Sequence, residues 1–309
     1  MGAVRYEIMN LISRAARVIK RDRLNVFVVK VCRSIYIIGV ITINNARHGR
    51  AELYVKSKVR KLLSLKSDIV KAKEKVLLHL LNIHKATVAY GPFKGMKISQ
   101  NVWWGKFDLS TKMLGVYEHH VLSQIVDLSA TVDGPFVDVG AADGYFAIGV
   151  AKSELMDKVY AYEISEKGRQ SLRENALLNN CSDKVIIDSE ANYDSLAGLL
   201  AEHRQALFLI DIEGAEYGLL NNDVLSLLRN SAVIVELHPW GVEGGYEMQE
   251  ALLSNVDKWF DARFIERKAY NPNEFEELLE FSDDERLLAF SEGRVKLIQW
   301  LVLTPKVSN

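Results

Sequence analysis

The sequence predicts an α/β fold: a doubly wound, seven-stranded and mostly parallel sheet that follows an N-terminal helical extension. Three observations lead to this prediction. From residue 136 onwards, short apolar runs alternate with segments of helical periodicity, which is typical of a parallel sheet covered by helices. The first apolar run ends in a glycine turn that leads directly into an apolar helix. The hydrophobic content of 49% is sufficient for a large core.

Charge divides the chain into two regions. Residues 1–90 contain 19 Lys and Arg against 5 Asp and Glu, a net charge of about +14, and the remainder carries 20 against 35, about −15. We therefore predict a basic, mainly helical extension at residues 1–85 and an α/β domain at residues 86–309. The two cysteines, Cys32 and Cys181, are too few for a disulfide framework or a zinc site, which favours a reducing, cytoplasmic compartment.

The extension contains one nearly apolar run, Val26 to Ile43, that Lys30 and Arg33 interrupt. A transmembrane helix needs about 20 apolar residues with few charges, so we favour a helix packed against the body or against a second subunit, as in a homodimer. The first alternative is a peripheral membrane helix at the inner face of the membrane, held there by the cations of residues 20–60. A true membrane span is the second alternative.

Two elements are predicted before the sheet. The segment Val88 to Ile98 contains a Gly-Pro pair and is predicted to form a β-hairpin. Ser110 is predicted to cap one helix that continues to Leu128, because its apolar residues recur at helical spacing.

Strands and helices then alternate. The strands are predicted at 136–139, 159–162, 184–187, 206–210 and 232–237. The helices that follow them are predicted at 145–153, 167–178, 193–203, 215–228 and 248–258. Two late β runs, 262–267 and 296–304, are expected to pair with each other and close the sheet.

The turn after the first strand carries the most specific chemical signal. Its glycines, Gly140 and Gly144, do not match the G-x-G-x-x-G spacing of dinucleotide-binding proteins. Asp138 and Asp143 would also repel a pyrophosphate. A ligand with a cationic amino-acid end and ribose hydroxyls fits such a turn, and S-adenosylmethionine has both.

Further carboxylates follow the other strands, where ligands of such sheets bind. Glu163 lies 23 residues after Gly140, a spacing typical of a ribose-binding acid. Glu190 is interpreted either as a contact to the adenine amino group or as a surface acid. Asp211 and Glu213 belong to a group of three acids directly after an apolar strand, which is costly unless a cation or hydrogen-bond donors meet them.

Four segments resemble one enzyme family. Phe136–Ala151 resembles the first motif of class I S-adenosylmethionine-dependent methyltransferases, and Ile210–Glu216 resembles the hallmark of their FkbM-type members. Val235–His238 is similar to the Glu-x-His of the fifth strand in that family, and Gly115–Glu118 to its Gly-x-Tyr-Glu segment. The resemblance covers residues 86–305.

The resemblance implies a Rossmann-like methyltransferase sheet whose last strand is antiparallel, with S-adenosylmethionine as the methyl donor. It also implies a hydroxyl acceptor on a sugar of a glycan, glycolipid or glycosylated small molecule. The cofactor-binding residues predicted from the turn, the strand ends and the resemblance are Glu118, Asp138, Gly140, Ala141, Asp143, Gly144, Tyr145, Glu163, Glu190, Asp211 and Glu213.

A sugar hydroxyl is a weak acid, so its oxygen needs a base or a metal ion before it attacks the methyl group. We predict His238 as the base, with Asp211 as the second catalytic residue at the methionine end. The alternative is Mg²⁺ held by the oxygens of Asp211, Glu213 and Glu236. Tryptophans 103, 104 and 240 are candidates for stacking on the sugar.

Two other functions are consistent with the basic extension. One is a nucleic-acid methyltransferase, but the Asn/Asp-Pro-Pro-Tyr-like turn of amino-methylating enzymes is absent, and an acidic mouth would repel phosphates, so no nucleic-acid partner is expected. The other is a non-catalytic scaffold that docks a partner or a membrane through its basic arm.

Overall fold

The structure, a computed structural model, describes residues 68–99, 108–266, 269–294 and 296–306. Contacts between Cα atoms divide the chain after Ala72, and the fold below is that of the unit from Lys73 to Asn309. The segment 20–60, with its predicted membrane or dimer contacts, lies outside the described residues. The boundary predicted between residues 85 and 86 stays a prediction. In the described part, no helix has the length and apolar character needed to span a bilayer.

Three helices precede the sheet: α1 at 68–84, α2 at Leu109–Met113 and α3 at His119–Ser129. The single helix predicted from Ser110 to Leu128 is therefore wrong, and Ser110 lies inside α2 rather than capping it. The chain turns at Gly115, whose φ is +69°. Only glycine fits here, because a Cβ would lie 2.0 Å from the carbonyl oxygen of Tyr90. Glu118 then takes a left-handed conformation, and α3 begins in a new direction.

The β-hairpin predicted at 88–98 is reduced to one isolated bridge, between Thr87 and Lys97. Its turn occupies most of the segment, since Gly91 and Gly95 both have positive φ angles. Backbone hydrogen bonds flank this bridge on both sides: Val88 donates to the carbonyl of Met96 at 2.8 Å, and Ile98 donates to the carbonyl of Ala86 at 2.7 Å. The prediction of two strands is therefore wrong, although the chain does reverse here.

Five parallel strands form the centre of the sheet. They are β1 Phe136–Val139, β2 Val159–Tyr162, β3 Val185–Asp188, β4 Leu207–Ile210 and β5 Ala232–Leu237. The helices after them are α4 Tyr145–Lys152, α5 Glu166–Leu178, α6 Tyr193–His203, α7 Glu216–Leu219, α8 Asn222–Leu227 and α9 Gly245–Val256. Strands β1, β4 and β5 are buried along their whole length, as expected for parallel strands covered on both faces.

The helix predicted at 215–228 is wrong, because the structure divides it into α7 and α8. Asn221 lies between the two helices and caps the N-terminus of α8. Its side chain accepts hydrogen bonds from the backbone N–H groups of Asp223 and Val224, at 3.0 and 3.1 Å, and so starts α8 afresh.

Two late strands close the sheet, β6 at Phe260–Phe264 and β7 at Gln299–Pro305. Between them lie two short 3-10 turns and the helix α10, Asp283–Ala289. The strand order is β3-β2-β1-β4-β5-β7-β6, and β7 is antiparallel to both of its neighbours. The predicted seven-stranded, mostly parallel sheet of the Rossmann-like methyltransferase type is thus confirmed, including the pairing of the two late strands.

This topology brings the carboxyl ends of β1, β2, β4 and β5 to one edge of the sheet. Two apolar clusters, one on each face, hold the strands in register. Every polar side chain considered below follows one of these strand ends or reaches that edge from α2, α3 or the segment before β7.

Candidate active site

The turn after β1 is packed directly on the end of β4. Gly140 has a φ of +92°, and a Cβ at this position would lie 1.8 Å from the carbonyl oxygen of Asp211. The backbone N–H of Asp211 in turn donates to the carbonyl of Val139 at 2.9 Å. Only glycine fits this approach, so the predicted cofactor turn and the predicted catalytic aspartate are immediate neighbours.

Asp138 faces the first turn of α4. Its side chain is buried, and Oδ2 accepts a hydrogen bond from the backbone N–H of Ala147 at 3.0 Å. Burial raises the pKa of Asp138 to about 8, against the opposing effect of this hydrogen bond. Asp138 thus anchors the helix that starts behind the turn.

Asp143 and Tyr145 lie on the inner side of the turn. The Asp143 carboxylate is 3.3 Å from the Nζ of Lys112, which arrives from α2, and the Asp143 carbonyl accepts from Asn175 at 2.8 Å. The buried ring of Tyr145 packs edge-on against Tyr117, with 5.2 Å between ring centroids. Lys112 was not among the residues predicted from the sequence.

Glu163, at the end of β2, is held by backbone donors on both oxygens. Oε2 accepts from the N–H of Ala142 at 2.9 Å, and Oε1 accepts from the N–H of Ser165 at 2.7 Å. The carboxylate therefore ties the β2 end to the turn after β1. Glu190 is exposed, and among the described residues none donates a hydrogen bond to its carboxylate, so the predicted adenine contact stays a prediction.

Three carboxylates converge on one imidazole at the ends of β4 and β5. The Nε2 of His238 lies 3.8 Å from Asp211 Oδ1, 3.9 Å from Glu213 Oε2 and 3.4 Å from Glu236 Oε1. The two longer distances exceed those of a hydrogen bond. Asp211 Oδ1 is buried and has no hydrogen-bond partner among the described residues. A ligand at this point would therefore meet carboxylate oxygens and an imidazole nitrogen that can still form hydrogen bonds.

Glu216 orients the imidazole from behind. It is completely buried at the start of α7, and its Oε1 accepts from the backbone N–H of His238 at 2.7 Å and lies 3.3 Å from Nδ1. Burial tends to lower the pKa of His238, but the hydrogen bond to Glu216 and the neighbouring carboxylates outweigh it and raise that pKa. Glu216 thus directs Nε2 towards Asp211 and favours the protonated imidazole.

An arginine that the sequence prediction missed joins the remaining carboxylates. Arg294, before β7, donates to Glu118, to Glu236 Oε1 at 3.1 Å and to Glu292 at 2.7 Å. Glu118 and Glu236 are 2% and 1% exposed, so the guanidinium supplies hydrogen-bond donors and a positive charge to two buried carboxyl groups. Burial raises the pKa of Glu236 well above its usual range, and the charge of Asp211 adds to this shift.

These side chains line a cleft of about 220 Å³. Its walls include Asp108, Tyr117, Asp211, Glu213, Glu236, His238, Trp240, Glu292, Arg294, Lys296 and Ile298. The ring of Trp240 lies 5.6 Å from that of His238 and at an angle to it, so an aromatic face borders the imidazole. Tryptophans 103 and 104 lie outside the described residues.

The site has ligand atoms suited to a divalent cation. Single ligand atoms of Asp211, Glu213 and His238 all lie within 4.8 Å of one another, and the unpaired Asp211 Oδ1 belongs to the same group of residues. The set contains an imidazole in addition to carboxylates, and it differs from the predicted Asp211, Glu213 and Glu236, since Glu236 is bound to Arg294. Imidazole suits Fe²⁺, Ni²⁺ or Zn²⁺ better than Mg²⁺.

Comparison with known proteins gives two kinds of result. A scan of family models matched none, and a search of curated proteins found no match. Several of the similar solved structures are named as methyltransferases. Cofactor-bound Rv0187 from MTB is 12% identical, with a TM-score of 0.41 over 60% of this chain and 79% of that one. An O-methyltransferase from Bacillus cereus in complex with SAH is 14% identical, with a TM-score of 0.41 over 75% and 91%.

A third similar structure is the tRNA methyltransferase TrmK from B. subtilis, 9% identical, with a TM-score of 0.37 over 61% of this chain and 65% of that one. The substrate classes in these names differ, and TM-scores below 0.5 do not assign one to this chain. The fold assignment rests on the strand order and on the antiparallel β7.

Proposed function

We propose that the chain is an S-adenosylmethionine-dependent O-methyltransferase that acts on a hydroxyl of a sugar. One observation carries the proposal: the glycine turn after β1 touches Asp211, and Asp211 lies beside the buried His238. A donor in the turn and an acceptor hydroxyl at His238 would then be neighbours at the sheet edge where ligands of such folds bind. The FkbM-type resemblance of Ile210–Glu216 supports the same assignment.

The donor would be held mainly by the ends of β1 and β2. Each oxygen of Glu163 accepts one backbone hydrogen bond and keeps further acceptor capacity for a ribose hydroxyl. Asp138 and Gly140 shape the turn from behind. S-adenosylmethionine supplies an electrophilic methyl group on a sulfonium, and the chain's own residues position it.

His238 would act as the base. The acceptor oxygen would form a bond to the methyl carbon while the carbon–sulfur bond breaks and its electron pair returns to sulfur. The hydroxyl proton would pass to Nε2 of His238, and Glu216 would stabilise the resulting imidazolium through Nδ1. Because such a displacement needs little covalent help, positioning supplies most of the remaining barrier reduction.

A divalent cation is the alternative means of activating the hydroxyl. Mg²⁺ or a transition-metal ion on Asp211, Glu213 and His238 would lower the pKa of the acceptor hydroxyl, and Nε2 would then be a ligand rather than the base. Turnover after EDTA treatment separates the two: unchanged activity supports the base, and loss that Mg²⁺ or Mn²⁺ restores supports the cation.

Acceptor class is tested by methyl transfer from labelled S-adenosylmethionine to a glycan extract and, in parallel, to RNA. We expect calorimetric binding of S-adenosylmethionine and labelling of the glycan fraction alone, since Trp240 offers a sugar face and the cleft is rich in carboxylates. Labelled RNA would favour the nucleic-acid enzyme instead. Absence of cofactor binding would favour the scaffold.

The location and assembly of the protein remain proposals. Its cysteine usage favours the cytoplasm, and the basic extension favours contact with the inner membrane face or with a second copy. Flotation of the full chain with anionic vesicles, together with its mass by light scattering, tests both.

A further inference from the structure

Strand β6 lies at one edge of the sheet, with β7 on one side and no described strand on the other. Its pairing with β7 determines which of its backbone groups point outwards. The carbonyl of Trp259 accepts from the N–H of Lys306 at 3.2 Å, and the N–H of Ile265 donates to the carbonyl of Trp300 at 2.9 Å, so the odd-numbered residues of β6 are bonded to β7. Because hydrogen bonding alternates along an antiparallel strand, the backbone groups of the even-numbered residues face away from β7.

The outward-facing residues are Phe260, Ala262 and Phe264. No other described group is hydrogen-bonded to their backbone N–H and carbonyl groups. Such a free edge is a template for a further strand, and proteins that stay monomeric usually protect it with charged side chains, proline or a covering segment. Residues 261–264 are all exposed, so the described part of the chain does not cover this edge.

The two charges on β6 are opposite in sign and lie symmetrically about its middle residue. Asp261 precedes Ala262 and Arg263 follows it, so both side chains lie on the same face of the sheet. Among the described residues neither forms an ion pair, and the Arg263 guanidinium donates only to the amide oxygen of Gln124. Like charges at these two positions would repel a second copy of the same strand, whereas Asp and Arg attract it.

We infer that β6 pairs antiparallel with β6 of a second copy of this chain, across a two-fold axis at Ala262. In that register Ala262 faces Ala262 of the second copy and Phe260 faces its Phe264, so all three outward-facing residues form hydrogen-bonded pairs. Asp261 of each copy faces Arg263 of the other at the non-hydrogen-bonded positions, where opposite Cα atoms are only about 4.5 Å apart. Such an interface is closed by its symmetry, so it gives a dimer with one continuous sheet.

One aromatic side chain favours the same register. Phe264 is 48% exposed, whereas Phe260, at the other end of the strand, is 1% exposed. The pairing places Phe264 of each copy beside Phe260 of the other, on the same face of the sheet, and covers its ring. The interface thus combines backbone hydrogen bonds, two ion pairs and the burial of an exposed ring, and it is separate from the basic extension.

Charge reversal and its rescue test the interface. The mass of the full chain is measured by sedimentation equilibrium over a wide range of concentrations. We expect the wild type to dimerise, and we expect Arg263→Asp and Asp261→Arg each to raise the dissociation constant of the dimer by roughly 10-fold, because either change makes both cross-strand pairs repulsive. The double variant with both changes restores opposite charges at both positions and should dimerise like the wild type.

Two further variants keep the test decisive. Ala262→Pro removes an outward N–H but no hydrogen bond to β7, and proline is tolerated on edge strands, so this variant should be folded and monomeric. Arg173→Asp makes the same substitution at an exposed helix position, and as the matched control it should keep the dimer. Urea unfolding of each variant separates lost association from lost folding.

Three results would overturn the inference. The first is a wild type that is monomeric at every concentration. The second is a dimer that the single charge reversals and Ala262→Pro leave intact, since its contacts then lie elsewhere, as on the basic extension. The third is a double variant that stays monomeric although each single variant lost the dimer, which would contradict the pairing of Asp261 with Arg263. The proposed methyl transfer is tested separately, by cofactor binding.

Discussion

The two halves of the site treat their carboxylates differently. On the donor side, at the ends of β1 and β2, Asp138 and Glu163 accept hydrogen bonds from backbone N–H groups. On the acceptor side, at the ends of β4 and β5, Asp211 and Glu236 lie within 4 Å of an imidazole, and one oxygen of Asp211 has no hydrogen-bond partner in the part of the chain that the structure describes.

This difference indicates that the donor side positions the cofactor and that the acceptor side carries the proton transfer. Backbone donors fix the position of the carboxyl group that accepts from them, which suits a residue that must present the same surface to every donor molecule. On the acceptor side burial, and after it the neighbouring carboxylates, raise the pKa values of Asp211 and Glu236, which suits proton transfer. The two sides meet where Gly140 packs on the carbonyl of Asp211 and where the Asp211 N–H donates to the carbonyl of Val139.

The largest expected effect is on turnover and tests the role of the acceptor side. Replacing His238 by Ala should lower kcat by roughly 10²- to 10⁴-fold, the usual range for losing a general base. Methyl transfer from labelled S-adenosylmethionine measures it. His203→Ala, which removes a histidine bonded to Tyr160, is the control and should keep its activity. Unchanged turnover in His238→Ala would remove the base from the mechanism.

Loss of the arginine tests the charge balance on the acceptor side. Arg294→Met leaves Glu118 and Glu236 buried without their cation, and we expect the free energy of unfolding to fall by about 3 kcal/mol. Urea unfolding measures this change. Arg294→Lys keeps the charge and should lose less. Equal stability of the methionine variant and the wild type would mean that Arg294 is not needed to stabilise the buried carboxyl groups of Glu118 and Glu236.

The pH dependence of turnover sharpens the role of Glu216. His238 must be neutral to accept a proton, and its pKa is raised, so activity should rise with pH through a midpoint above 6.5. Glu216→Gln removes the hydrogen-bonded charge that contributes to the shift, and the midpoint should fall by about one pH unit, together with a lower kcat. A midpoint that stays in place would exclude His238 as the titrating group.

The smallest expected effect concerns Asp138. Its pKa is about 8 in the folded state against 3.8 for the ordinary group, so the folded chain holds a proton that the unfolded chain has lost between those values. Stability from this group is therefore complete below pH 4 and is lost as the pH rises towards 8. Asp138→Asn keeps an acceptor for Ala147 and should gain a few degrees in Tm over the wild type at pH 8, with no gain at pH 4.

Local signals explain why much of the sheet was predictable. β1 and β5 have the predicted bounds because each is an apolar run with a single acid that ends at a polar residue or turn. α6 also begins where predicted, since Asn192 caps it by accepting from the N–H of Ser195. The grouping of Asp211 and His238 followed from the rule that parallel strands end at one edge.

Tertiary contacts explain what was missed. The break at Gly115 depends on the carbonyl of Tyr90, and no periodicity between residues 110 and 128 reports it. Arg294 reaches Glu118 across 176 positions, with no motif around it. Glu216 belongs to the acidic motif Ile210–Glu216, but the motif does not show that its side chain is buried behind His238. That contact depends on the packing of α7 against β5.

The most direct test compares S-adenosylmethionine binding in three calorimetric titrations, of the wild type, Glu163→Gln and His238→Ala, with Glu174→Gln as an exposed control. The donor side alone should determine the affinity for S-adenosylmethionine. We expect Glu163→Gln to bind roughly 10-fold more weakly and His238→Ala to bind within about twofold of the wild type. No binding by the wild type, or loss of binding in His238→Ala with Glu163→Gln unaffected, would contradict the division of the site.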